Sequence, residues 1–111
     1  MTAQQVAYDR VKEAGMSVLV LIDLKVTPEH VESTRARLQD GLQDIRSFDG
    51  CEEAILHVNQ DDSANLLFAE RWTSREKYEA YRAWRAQRGD NAWLTSTLAG
   101  PLLVRAFDVL A

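Results

Sequence analysis

Hydrophobic positions along this chain recur with two periods, and the switches between them mark its elements. Val18, Leu19, Val20, Leu21, Ile22 and Leu24 make a nearly continuous, partly β-branched apolar run within residues 17–26, which predicts a strand. A strand apolar on both faces must be covered on both faces. One layer of helices covers only one face of an open sheet, so this run calls for a second sheet, supplied by another copy of the chain. From Val31 the period changes. Val31, Leu38, Leu42 and Ile45, with Thr34 filling the stripe, fall on one face of a helix. Thr27-Pro28-Glu29 suits its start, because threonine caps, proline fits the first turn and glutamate favours the positive end of the dipole. The helix should reach about Phe48 and stop at Asp49-Gly50.

Period two then returns. Glu52 to Asn59 reads as a strand, Gln60 to Ser63 as a turn and Leu66 to Trp72 as a hairpin partner. Thr73 and Glu76 fit a capping box, predicting a helix to about Arg88 that Gly89 ends. Asp90 suits the cap of a short helix carrying Trp93, Leu94 and Leu98. Gly100-Pro101 breaks it, and Leu102 to Val109 reads as a last strand. The order β-α-β-β-α-β is the ferredoxin-like arrangement, an α+β fold with a four-stranded antiparallel sheet. Residues 17–111 form this domain. Residues 1–16 read as an N-terminal extension, with a short helix over residues 3–13 on Val6, Val11 and Ala14, closed by Gly15.

Composition narrows the function. The chain has 111 residues, 46% of them hydrophobic and 27% charged, with a formal net charge of −4. That is ordinary for one globular domain, and a domain this small benefits from oligomerising. No basic excess is present, which argues against nucleic-acid binding. The lone Cys51 cannot form an internal disulfide, so a reducing, cytoplasmic location is expected. No apolar run reaches membrane-spanning length, and the N-terminus lacks the apolar core of a secretory signal. No Cys/His cluster has metal-binding spacing, and no phosphate loop or nucleophile elbow occurs.

Several residues at these positions together resemble a known family. Gly50-Cys51 follows the first helix; Phe68-Ala69-Glu70-Arg71-Trp72 closes the third strand; Ser74-Arg75-Glu76 opens a helix at once; Gly100-Pro101 precedes the last strand. Over residues 17–109 this resembles the antibiotic biosynthesis monooxygenase family of the dimeric α+β barrel superfamily. The resemblance implies two sheets facing each other across a homodimer and a pocket in each subunit between sheet and helices. It also implies oxidation of aromatic polyketides such as anthrones to quinones by O₂, with no metal or flavin cofactor. Trp72 and Tyr78 match pocket positions of that family. Phe68 stands where an anthrone oxygenase has asparagine, Ala92 where it has arginine, and Tyr81 where many relatives have histidine. No histidine follows His57, which disfavours haem ligation of the kind seen in haem-degrading relatives.

Read residue by residue, Phe68, Glu70 and Trp72 share one strand face. A carboxylate there is costly unless paired, by Arg105 for instance, or protonated, which would make Glu70 an acid or base. Tyr78, Tyr81 and Trp84 follow at three-residue spacing. Core stripes are usually aliphatic, and this helix has no Leu, Ile or Val, so the ring stripe suits a flat aromatic ligand. Trp93 and Asp23 are further candidate substrate contacts, and His57 a candidate base. Arg71, Arg75, Lys77, Arg82, Arg85 and Arg88 read as a solvated face, with an anionic substrate tail as the second reading. Cys51 reads as a small buried residue. The expected function is a cofactor-independent monooxygenase of an aromatic or phenolic metabolite, with Trp72, Tyr78, Glu70 and His57 as catalytic candidates. The alternatives are a cofactor-free isomerase or cyclase, and a non-catalytic ligand-binding protein.

Overall fold

The computed structural model describes residues 2–3 and 17–110. The helix expected over residues 3–13 falls, apart from residue 3, outside the described residues. The chain runs as β1 (Val18–Lys25), a 3-10 turn (Pro28–His30), α1 (Val31–Ser47), β2 (Cys51–Asn59), β3 (Asp62–Trp72), α2 (Arg75–Arg88), α3 (Asp90–Thr97) and β4 (Leu103–Asp108). The four strands form one antiparallel sheet in the order β2-β3-β1-β4. This is the expected ferredoxin-like α+β arrangement. No helix among the described residues is long and apolar enough to cross a membrane.

Strand alternation sorts the side chains. Val18, Val20 and Leu24 of β1 and Leu66, Phe68, Glu70 and Trp72 of β3 are buried under the helices. Leu38 and Ile45 of α1 and Tyr78 and Tyr81 of α2 cover them. The opposite face carries Leu19, Leu21, Leu67, Ala69 and Ile55, with Leu21, Ala69 and Ile55 in register across β1, β3 and β2. No element of the described chain covers this face, and its edge leaves Leu103 at 59% and Phe107 at 42% exposure.

Local chemistry moved several boundaries. Thr27 does not cap with its side chain. Its hydroxyl lies 2.6 Å from His30 Nδ1, and the chain enters α1 through the 3-10 turn that Pro28 favours. The cap of α2 is Ser74, not Thr73: its Oγ accepts the Lys77 N–H at 3.2 Å. Asp90 is the first residue of α3 rather than its cap, because Gly89 takes that place with φ +80. β3 starts four residues earlier than expected, since the hairpin tightens around Gln60-Asp61. A register shift between Cys51 and Glu53 leaves Glu52 free to accept the Ser17 hydroxyl at 2.6 Å. The end of α3 is tied back to β1 by Thr27 N–H to Thr97 O and Ala99 N–H to Lys25 O.

Candidate functional site

The covered face of the sheet is rich in rings. Trp72, fully buried, packs against Tyr81 at 5.3 Å, Tyr78 at 5.8 Å and Phe48 at 6.2 Å between ring centroids. Phe48 also meets Tyr81 at 5.3 Å and Trp84 at 5.4 Å. Phe48 is therefore a hub of this cluster. Its place just after the helix end marked it only as a boundary in the sequence.

Glu70 sits in this apolar surround at 1% exposure. Its Oε1 accepts the Trp72 indole N–H at 2.9 Å. Burial pushes its carboxyl up to about 7, against the Trp72 hydrogen bond and the Arg85 charge, which both favour the anion. The pairing with Arg105 does not occur. Arg105 pairs in register with Leu21 on the other face of the sheet and lies over the Phe107 ring.

Beside the rings lies an apolar chamber of about 260 Å³. Its floor is Ile22, Leu24, Phe68 and Val104 from the sheet. Leu38 and Ile45 of α1, Tyr78, Tyr81 and Arg85 of α2, and Leu94 of α3 wall it. Burial holds both tyrosine hydroxyls far from ionisation, Tyr78 and Tyr81 each pushed up to about 12. At neutral pH they are hydrogen-bond donors rather than bases. Arg85 Nη1 donates to Tyr81 Oη at 2.8 Å, which leaves the phenol proton free to point at a ligand. Arg85 Nε lies 3.1 Å from Asp90 Oδ2, yet it makes no hydrogen bond there and remains a buried donor without an acceptor.

A second chamber, of about 240 Å³, adjoins the first and shares Leu38, Ile45, Phe68 and Arg85 with it. Its other walls are charged: Arg37, Asp40 and Asp44 of α1, Arg88 of α2 and Asp90 of α3, with Trp93 and Gly41.

The candidate residues thus divide into groups. Phe68, Tyr78 and Tyr81 line the apolar chamber, and Trp93 lines the charged one. Trp72 and Glu70 stand behind the tyrosines and line neither. Trp84 packs on Phe48 and Tyr81, with the Arg88 guanidinium 4.4 Å from its ring centre. His57 and Asp23 are on the opposite, uncovered face, because alternation sends them there: His57 lies beside Leu67 on the exposed β2 edge, and Asp23 accepts the Asn65 amide at 2.6 Å. Sequence reading placed Arg85 on a solvated face. Its spacing of four from Tyr81 was the available signal, since that spacing puts both on one side of a helix.

A family model described as antibiotic biosynthesis monooxygenase matches residues 17–88, more than half of the chain. The chain belongs to the antibiotic biosynthesis monooxygenase family. The matched span contains β1 to α2, so it carries the sheet floor except Val104, the ring cluster, Glu70 and Arg85. Among solved structures, Rv0793 from Mycobacterium tuberculosis is 24% identical and superposes with a TM-score of 0.77 over 86% of this chain and 96% of its own. An antibiotic biosynthesis monooxygenase crystal structure matches at 17% identity and 0.77 over 85% and 99%. PA3566 from Pseudomonas aeruginosa matches at 20% identity and 0.72 over 88% and 98%. At identities this low the likeness shows the fold alone. No curated relative matches the chain. Within the family's pattern, Tyr78 is a chamber wall here, Trp72 is its buried backing, and Ala92 is exposed on α3.

Proposed function

We propose that the protein is a cofactor-independent monooxygenase that oxidises an electron-rich aromatic or phenolic metabolite of anthrone type with O₂. The observation that carries this reading is the apolar chamber lined by two un-ionised tyrosines and a half-buried arginine bonded to one of them. Such a chamber suits a flat ring system bearing one oxygen. A substrate carbonyl or phenol oxygen placed at Tyr81 and Arg85 would receive hydrogen bonds as its negative charge grows. That lowers the acidity barrier of the adjacent C–H, and the proton leaves to a water. The resulting carbanion reacts with O₂ to form a C–OOH bond. Loss of water then leaves a C=O where the substrate had CH₂, so one oxygen atom enters the product and the other leaves as water. Tyr78 and Tyr81 are the catalytic residues in this scheme. Trp72 and Glu70 act through them, as buried supports and as the source of a charge felt at both hydroxyls.

The same reading includes a homodimer formed through the uncovered sheet face, and a cytoplasmic location. Support for the dimer comes from Leu21, Ala69 and Ile55 lying in register on that face, with Leu19 and Leu67 beside them and no element of the described residues above. Arg71 adds to it: its Nη1 is buried on that face without an acceptor. A second sheet would cover the apolar rows and could supply that acceptor.

The test is O₂ uptake and quinone absorbance on adding anthrone to the pure protein, with Tyr78→Phe and Tyr81→Phe compared. Activity should fall ~10²-fold or more when a donor to the developing oxyanion is lost. Unchanged rates in both variants, or no turnover of any hydroxylated anthrone or naphthol, would overturn the assignment.

A further inference from the structure

The two chambers share one wall but differ in chemistry. Around the charged one, three guanidiniums (Arg37, Arg85, Arg88) face three carboxylates (Asp40, Asp44, Asp90). Arg88 lies 3.4 Å from Asp44 and 3.5 Å from Asp90, and Arg85 holds Asp90 at 3.1 Å. The lining therefore carries no net charge. An anionic group entering it meets three carboxylates, and a cationic group meets three guanidiniums. A hydroxyl donates to a carboxylate and accepts from a guanidinium, so it is served by both kinds of wall.

Gly41 gives the second observation. It lies inside α1, where glycine costs about 1 kcal/mol against alanine. The backbone does not require it, since the positive-φ glycines among the described residues are Gly50 and Gly89. Packing does not require it either: nothing stands within 4 Å of where its Cβ would be. Arg37, Gly41 and Asp44 share one side of the helix, and all three line the charged chamber. What the missing side chain leaves is open space in that chamber.

We infer that the site takes a two-part ligand, a flat apolar body in the apolar chamber and an uncharged, hydroxyl-bearing arm in the charged chamber, with Gly41 setting the space for the arm. This rests on the reading of the apolar chamber as the ligand site and names the class of ligand it takes. Arg85, shared by both chambers, meets the ligand where body and arm join.

The experiment is calorimetric binding of three naphthalenes: 2-methoxynaphthalene without an arm, 3-(2-naphthyloxy)propane-1,2-diol with a hydroxylated arm and (2-naphthyloxy)acetate with a charged one. The wild-type protein should bind the diol about tenfold more tightly than either other probe. Gly41→Leu should erase that preference and leave 2-methoxynaphthalene within about twofold. Leucine is a strong helix former and nothing stands within 4 Å of its Cβ there, so the variant should fold. Gly41→Ala should raise the thermal midpoint and keep the diol preference. Equal binding of all three probes, preference for the carboxylate, or uniform weakening by Gly41→Leu would overturn the two-part ligand alone. Failure of every probe to bind would overturn the ligand-site reading with it. Loss of anthrone oxidation with the diol preference intact would overturn only the oxygenase reading.

Discussion

Replacing Glu70 by glutamine should make the protein more stable above neutral pH and nearly unchanged in acid. Glu70 is 1% exposed, and burial raises its carboxyl from 4.5 to about 7. In the unfolded chain it titrates at the ordinary value. Between these two values the folded protein keeps a proton that the unfolded chain has lost. Unfolding free energy therefore falls as pH rises across that window, and for this group it is flat below and above it. The full span corresponds to roughly 3 kcal/mol, a large share of the ~5–15 kcal/mol that holds a small domain together. Glutamine keeps the shape and an oxygen for the Trp72 indole, but carries no charge.

Chemical denaturation of wild type and Glu70→Gln from pH 4.5 to 8.5 measures the effect, provided the denaturant slopes agree. The stability difference should grow by roughly 3 kcal/mol in favour of Glu70→Gln as pH rises. Tyr78 and Tyr81, pushed up to about 12, and Cys51, pushed up to about 11, stay protonated throughout. Titrations elsewhere are common to both proteins and cancel in the difference. A difference that does not change with pH would refute the burial argument, because it would mean the carboxyl is solvated as in the open chain.

Trp72→Phe removes the one hydrogen bond that favours the Glu70 anion, so the pH window of wild-type destabilisation should extend further upward, read by the same titration. It should also cost about 1–3 kcal/mol at neutral pH for the buried acceptor left without its donor. Gly50→Ala should destabilise by about 1–3 kcal/mol in urea, because φ is +93 and the new Cβ would stand 2.5 Å from Lys77 Cβ. Leu21→Asp, in the middle of the uncovered face, should leave the far-ultraviolet spectrum unchanged and convert a dimer to monomer in sedimentation velocity. An unchanged sedimentation coefficient would refute the sheet-to-sheet assembly.

The topology was legible because each element carried its own period and its own stop. Gly50 and Gly89 both take positive φ, where the sequence had placed helix ends. The segregation of faces in β1 and β3 followed from alternation alone. Exact caps were not legible: Thr73 and Ser74 are equally good capping residues, and the choice between them depends on where β3 lets the chain turn. Glu70 could be seen as buried from its neighbours in sequence, but its partner could not. A partner two residues along the same strand, Trp72, is compatible with that periodicity, yet nothing in it excludes Arg105 across the sheet.

Arg85 shows where the limit lies in physical terms. Among the basic residues of α2 itself, it is the one drawn inward, with a side chain 20% exposed against 43% for Arg88 and 52% for Arg82. Its helical spacing from Tyr81 allows this but does not require it. The deciding contact comes from beyond the helix. Gly89, at φ +80, turns the chain so that Asp90 lands 3.1 Å from the Arg85 guanidinium, and that carboxylate compensates a charge which would otherwise resist burial. The Tyr81 hydroxyl then takes a second guanidinium nitrogen. One short connection between two helices thus converts a surface cation into the donor shared by both chambers. Residue order lists those three side chains as a run of polar positions, and only the left-handed turn between them makes them a site.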